Sequence, residues 1–64
     1  MTETQGLLID GLKIFGVSKR EAILLVLRMQ DEEQMWELME WMAEHQGATE
    51  KEILTVAEKI MTEA

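Results

Sequence analysis

Residues 32–46 read EEQMWELMEWMAEHQ, in which apolar and acidic side chains recur with the period of an α-helix. At 100° per residue, its apolar side chains fall within about 220° of a helix. In order around that arc they are Trp41, Leu38, Met42, Met35, Met39, Ala43 and Trp36. A surface helix of a small domain needs an apolar stripe of only about 100°. The segment therefore predicts an amphipathic helix with more apolar surface than one small core can cover.

The other side of this helix consists only of glutamates. These side chains, which we call the acidic ridge, are Glu33, Glu37, Glu40 and Glu44, at positions i, i+4, i+7 and i+11. The net charge is −7, to which residues 31–64 contribute −8 and residues 1–30 contribute +1. Such a surface suits a basic partner and disfavours direct binding of nucleic acid, because phosphate contacts need a basic surface. The alternative interpretation is a solvated face that keeps a small apolar domain in solution.

Helix-capping signals divide the chain into four helices. Each begins with a Ser, Thr or Asp that is followed three residues later by Glu or Gln, the pattern of a capping box. The pairs are Thr2/Gln5, Ser18/Glu21, Asp31/Gln34 and Thr49/Glu52. Gly16 and Gly47 are placed to end two of the helices in the left-handed conformation. We predict an all-α, compact four-helix domain over residues 1–64, with helices over 3–15, 19–30, 32–46 and 50–62.

Two glycines lie inside the first predicted helix. Gly6 and Gly11 each cost a helix about 1 kcal/mol relative to alanine. They could equally allow a second helix to approach closely, and the sequence leaves both interpretations open.

The small size of the chain favours self-association. A chain of 64 residues is only marginally stable alone, and disulfides, metals or oligomerisation usually stabilise such domains. The sequence has no cysteine and one histidine, and its second helix is apolar almost all round, as the third is over a wide arc. We therefore expect a homodimer. Its predicted interface residues are Leu24, Leu27, Met35, Trp36, Met39, Trp41 and Met42.

Residues suited to catalysis are few. The one serine, Ser18, and the one histidine, His45, each lie at a predicted helix end, where capping explains them. The acidic ridge is linear and contains no Glu-x-x-His pair, so its carboxylates do not converge as metal ligands do. The glycines are isolated rather than grouped into a phosphate-binding loop. We predict a protein that is not an enzyme and that uses no cofactor and no metal.

The sequence also bears on location. The N-terminal stretch MTETQGLLIDG has no basic residue, so it does not resemble a secretory signal. The longest apolar run, residues 22–27, is far shorter than the roughly 20 residues that a membrane span requires. We expect a cytoplasmic protein without a membrane segment.

Residues 12–27, LKIFGVSKREAILLVL, resemble the turn of a helix-turn-helix DNA-binding unit. Gly16, Val17 and Ser18 match its Gly-Val-Ser turn, and Lys19 and Arg20 begin the second helix. The resemblance implies that these two cations contact DNA. The chain departs from the motif in having leucine four residues before the turn glycine, where a small residue is usual. It also departs in the apolar run that follows Glu21, where a recognition helix exposes polar side chains.

Three functions remain after these exclusions. The leading hypothesis is a protein–protein interaction module whose acidic surface binds a basic partner. One example would be a small inhibitor of the phage or mobile-element type that occupies a nucleic-acid-binding groove. The first alternative is a small DNA-binding regulator that uses the Gly16–Ser18 turn, and the second is a structural subunit of a larger assembly.

Overall fold

A computed structural model of the chain describes residues 2–63 and contains four α-helices. They are α1 (Glu3–Ile14), α2 (Lys19–Arg28), α3 (Glu32–Glu44) and α4 (Glu50–Glu63). The predicted all-α class and the four helices are confirmed. Met1 and Ala64, the two ends of the predicted domain, lie outside the described residues.

The second and third helices end two residues earlier than the sequence predicts, while α1 ends one residue earlier and α4 one residue later. The second ends at Arg28 because Met29 turns to an extended conformation, with φ −87° and ψ 98°, while its side chain remains fully buried. The third ends at Glu44 because the ring of His45, rather than its backbone N–H, bonds to the carbonyl of Trp41. Its Nδ1 lies 2.8 Å from the carbonyl oxygen of Trp41, which the backbone N–H of residue 45 would otherwise reach.

The helices begin where the capping pattern predicts. Full capping boxes form at Thr2/Gln5 and at Thr49/Glu52, with bonds of 2.8 to 3.2 Å in both directions. The Ser18 hydroxyl accepts from the N–H of Glu21. The carboxylate of Asp31 accepts from Glu33 rather than from the predicted Gln34.

Of the two glycines predicted to be left-handed, only Gly16 is. It has φ 95°, and its N–H donates to the carbonyl of Lys13 while the N–H of Val17 donates to the carbonyl of Leu12. These bonds form a Schellman motif, which Val17 and Leu12 complete by burying their side chains. The prediction for Gly47 was wrong, because His45 already caps α3 and a turn from His45 to Ala48 follows.

The helices form a bundle in which α1 packs against α2 and α3, and α3 also packs against α4. A bond from Thr4 Oγ1 to Glu32 joins the starts of α1 and α3. Ile14 and Ala43, near their ends, line one groove, so the two helices run in the same direction. The Arg28–Glu58 ion pair, at 2.6 Å, connects α2 to α4. The α1/α3 pair and the α2/α4 pair therefore form opposite edges of the bundle.

Apolar side chains from all four helices and from two of the connections fill the space between these edges. The core consists of Leu8, Ile9, Leu12, Val17, Ala22, Leu25, Val26, Met29, Met35, Leu38, Met42, Ile53, Ala57 and Ile60. Neither glycine of α1 is required by this packing. A Cβ on Gly6 would meet nothing within 4 Å, and one on Gly11 would make an ordinary 3.6 Å contact with Met42.

Candidate protein-interaction surfaces

The acidic ridge faces away from the core along the whole of α3. All four of its glutamates are exposed. Within residues 2–63, none of them forms a salt bridge, whereas Glu58 pairs with Arg28. The ridge therefore presents a row of carboxylates that no described cation of the chain neutralises.

The negative surface continues from the ridge onto α4. A groove of about 270 Å³ between the start of α3 and the end of α4 is lined by the carboxylates of Asp31, Glu33, Glu37 and Glu63. Glu63 was not predicted as part of the acidic surface. The signal was weak, since only an antiparallel α3/α4 pairing brings the last turn of α4 beside the first turn of α3.

The residues predicted as one oligomer interface do not lie on one surface. Met35 and Met42 are 4% and 2% exposed, so they belong to the core and offer no surface to a second chain. Met39 and Trp41 are half-buried and pack against the core. Leu24, Leu27 and Trp36 remain, at 48%, 59% and 51% exposure.

The two exposed leucines lie on what we call the α2/α4 edge, formed by Leu24, Leu27 and Leu54. A groove of about 460 Å³ there is lined by these leucines and by Glu21, Arg28 and Glu58. This edge is therefore apolar at its centre, with charges of both signs around it.

The exposed tryptophan lies on the opposite surface, which we call the α1/α3 edge, formed by Leu7, Ile14, Trp36 and Ala43. Leu7 is 47% and Ile14 is 83% exposed. The hydrogen bond from Thr4 to Glu32 places these two residues at the same level of the two parallel helices. Leu7 and Trp36 each follow about one turn later, so they also lie at one level. Trp36 was predicted as an interface residue, but Leu7 and Ile14 were not, since the pattern within single helices does not show that α1 and α3 run side by side.

The two basic residues of the helix-turn-helix alternative are both exposed. Lys19 and Arg20 begin α2 directly after the left-handed Gly16, as the resemblance implies. The exposed face that follows them contains Leu24 and Leu27, which have no hydrogen-bonding groups for base edges.

The residues considered for catalysis act as helix caps. Ser18 caps α2, and His45 caps α3 while its ring stacks on that of Trp41 with centroids 4.3 Å apart. Among residues 2–63, no three His, Cys, Asp or Glu side chains are grouped so that they could hold a metal ion. Within the same residues, no helix has the length and apolar character needed to cross a bilayer.

No protein-family model, curated protein or solved structure matches this chain. The two edges and the acidic ridge are therefore the features on which a functional proposal must rest.

Proposed function

We propose that this protein is a non-enzymatic interaction module whose acidic surface binds a basic partner. The observation that carries the proposal is the acidic ridge, a row of four exposed carboxylates without a cation beside them in residues 2–63. Most protein surfaces mix charges of both signs, and a field of one sign suits the electrostatic steering of an oppositely charged partner. Here the acidic surface involves two helices, because Glu63 of α4 lines one groove with Asp31, Glu33 and Glu37.

The backbone adds to this negative potential. The last turn of α4 has no basic residue, so the partial negative charge of that helix C-terminus is not compensated there. With a net charge of −7, the molecule attracts a basic protein from a distance, and the ridge then orients it.

One concrete form of this function is inhibition. A row of carboxylates can occupy the groove in which a nucleic-acid-binding protein holds phosphates, because the cations of that groove are already arranged for a line of negative charge. Inhibition is the more specific part of the proposal. It means that nucleic acid and this protein compete for the same surface of the partner.

The test compares two variants with equal loss of charge. One carries Glu37→Gln and Glu40→Gln on the ridge, and the control carries Glu21→Gln and Glu50→Gln near the α2/α4 edge. The probe is a synthetic oligolysine of about 20 residues, titrated by calorimetry in dilute salt. At about 0.5 kcal/mol per exposed charge pair, the ridge variant should bind about fivefold more weakly than the wild type.

The control decides the interpretation. It should lose less than half as much binding free energy as the ridge variant. If both variants weaken equally, only the net charge matters and the ridge has no special role. If the wild type does not bind oligolysine in dilute salt, the proposed function is wrong.

The proposed module also dimerises, and the α2/α4 edge is the surface that suits a second copy. On this edge, Glu21 and Arg28 lie on either side of Leu24 along α2. In an antiparallel two-fold pairing, Glu21 of each chain meets Arg28 of the other, while the leucines meet at the centre. Opposite charges around an apolar centre make this surface complementary to itself.

Light scattering over a wide concentration range tests the dimer. The wild type should have twice the chain mass, and a Leu24→Asp/Leu27→Asp variant should be monomeric with an unchanged circular dichroism spectrum. A structural subunit of a larger assembly would behave differently, as an aggregation-prone monomer. A well-behaved monomeric wild type would contradict both.

A DNA-binding regulator is the second candidate, favoured by the exposure of Lys19 and Arg20 after a left-handed glycine. This candidate predicts that the protein is retained on mixed-sequence duplex DNA in dilute salt. The reason is that every DNA-binding regulator makes at least non-specific contacts with phosphates. A Lys19→Ala/Arg20→Ala variant should then lose retention while staying folded. No detectable retention of the wild type would exclude this candidate.

A further inference from the structure

The α1/α3 edge exposes more large apolar side chains than any other described surface. Leu7, Ile14 and Trp36 are three of the five large hydrophobic residues that are exposed among residues 2–63. Leu7 and Ile14 are seven residues apart on α1, as Trp36 and Ala43 are on α3, so each helix contributes two positions two turns apart. Half-buried Met39 lies one turn beyond Trp36. Together these residues form an apolar strip along two parallel helices.

Carboxylates border this strip on both sides. On α1, Glu3 and Asp10 are exposed and lie on the side of Leu7 away from α3, by their positions at 100° per residue. On α3, the acidic ridge begins directly beyond Trp36. The only described cation of α1, Lys13, lies further round that helix, beyond Asp10. The α1/α3 edge is thus an apolar strip between two rows of negative charge.

We propose that the α1/α3 edge docks an amphipathic helix of a partner protein, with its apolar face on the strip and lysines or arginines on both flanks. This inference rests on the proposed function and adds which part of the basic partner is recognised. The flanking cations would meet Glu3 and Asp10 on one side and the acidic ridge on the other.

The shape of the edge favours a helix as the occupant. The two positions on each helix are about 10.5 Å apart, the rise of two helical turns, so an apolar face at i, i+3, i+4 and i+7 has the same period. A third helix laid along two parallel helices packs its side chains into the groove between them. Residues 2–63 contain no β-strand, so they offer no sheet edge on which an extended segment could pair.

The charges argue against two other occupants. A second copy docked edge to edge would place the two acidic borders against each other, between molecules of net charge −7. An anionic membrane surface would be repelled for the same reason, because it attracts basic rather than acidic surfaces. The α2/α4 edge, whose charges are of both signs, lacks this preference.

The experiment uses the full chain with Trp41→Phe, so that Trp36 is its only tryptophan. The first probe is a synthetic peptide of about five helical turns, with leucines on one face and lysines on both flanks. The second probe has the same composition but scattered leucines, and the third has the leucine face with glutamate flanks. We expect the first peptide to move the Trp36 emission to shorter wavelength. It should also bind about tenfold or more tightly than either of the others.

Matched variants locate the site. Leu7→Asp/Ile14→Asp should weaken binding of the first peptide about tenfold, the factor expected for losing a buried aliphatic contact. The added negative charges would by themselves strengthen binding of a basic peptide, so a loss reports the apolar contact. Leu24→Asp/Leu27→Asp, with the same change on the α2/α4 edge, should retain full affinity. A Leu7→Ser/Ile14→Ser variant repeats the test without added charge, and circular dichroism checks the fold of each.

The outcomes separate this inference from the proposed function. If the first two peptides bind equally, and only the Glu37→Gln/Glu40→Gln variant weakens them, the acidic ridge binds basic partners but no helix docks on the edge. If neither these peptides nor oligolysine binds, both proposals fall. If the Leu24→Asp/Leu27→Asp variant loses the peptide, the docking site is the α2/α4 edge. If the wild type is dimeric in the absence of peptide and the Leu7→Asp/Ile14→Asp variant is monomeric, the α1/α3 edge binds a second copy of the chain. That result also overturns the inference.

Discussion

At the scale of single residues, Gly16 carries the conformation that joins α1 to α2. Its φ of 95° lies in a region where a Cβ is strained. We expect Gly16→Ala to lower the free energy of unfolding by about 1 kcal/mol, measured by urea denaturation. There is open space around this position, so a loss of stability would report backbone strain rather than a steric clash.

Gly6→Ala is the matched substitution with the opposite expected sign. Gly6 lies inside α1 with a right-handed backbone, and an added Cβ would meet no atom within 4 Å. The alanine should therefore raise the free energy of unfolding by up to about 1 kcal/mol in the same urea experiment. If Gly6→Ala destabilises the protein, Gly6 serves a contact that residues 2–63 do not make.

The residue scale is also where the sequence was most informative. The caps at Thr2, Ser18 and Thr49 depend on bonds within three residues, so local spacing alone predicted them. Gly47 was misassigned because a side chain competed with it. The ring of His45 bonds to the Trp41 carbonyl and ends α3 two residues before Gly47, whereas the predicted helix continued to residue 46.

At the scale of the element, α4 combines a full capping box with extensive packing against a single helix. It packs extensively only against α3, and Thr49 and Glu52 cap its N-terminus in both directions. Thr49→Ala should lower the free energy of unfolding by about 1 kcal/mol, measured by thermal or urea unfolding. The matched change is Thr55→Ala inside α4, where the exposed hydroxyl bonds only to the carbonyl of Lys51. This change should be neutral or slightly stabilising, because alanine is the better helix former. Equal losses in the two variants would mean that the cap contributes nothing particular to α4.

The exposure of α3 could be predicted only in part from its apolar pattern. The wide apolar arc of α3 predicted that part of that helix would remain uncovered, and Trp36 does remain exposed. The sequence could not decide between Trp36 and Trp41, because both flank the same arc. The choice depends on which sides of α3 receive α1 and α4, which is a property of the bundle rather than of the helix.

At the scale of the whole molecule, the topology separates residues that the sequence predicted to form one interface. The predicted interface combined α2 and α3, but these helices lie diagonally across the bundle, so their exposed residues face opposite edges. A periodicity argument assigns residues to faces of one helix at a time. It contains no information on how four such faces are arranged, which is why Leu7 and Ile14 were not predicted as neighbours of Trp36.

The net charge of −7 predicts how salt acts on the whole molecule. At 0.01 M salt the Debye length is about 30 Å. This length exceeds the largest molecular extent of 25 Å, so every carboxylate repels every other. At 0.1 M the Debye length falls to about 10 Å and this repulsion is largely screened. Raising sodium chloride over this range should increase the midpoint of thermal unfolding by about 4 °C, the equivalent of 0.5 to 1 kcal/mol for a domain of this size.

The same salt should weaken binding of a basic peptide, so stability and affinity are expected to change in opposite directions. The Glu37→Gln/Glu40→Gln variant provides the control, since removing two charges of the ridge should make both salt responses smaller. A midpoint that is independent of salt would mean that attractions such as the Arg28–Glu58 pair balance the repulsion. If the affinity for the basic peptide were also independent of salt, the electrostatic basis of partner binding would be wrong.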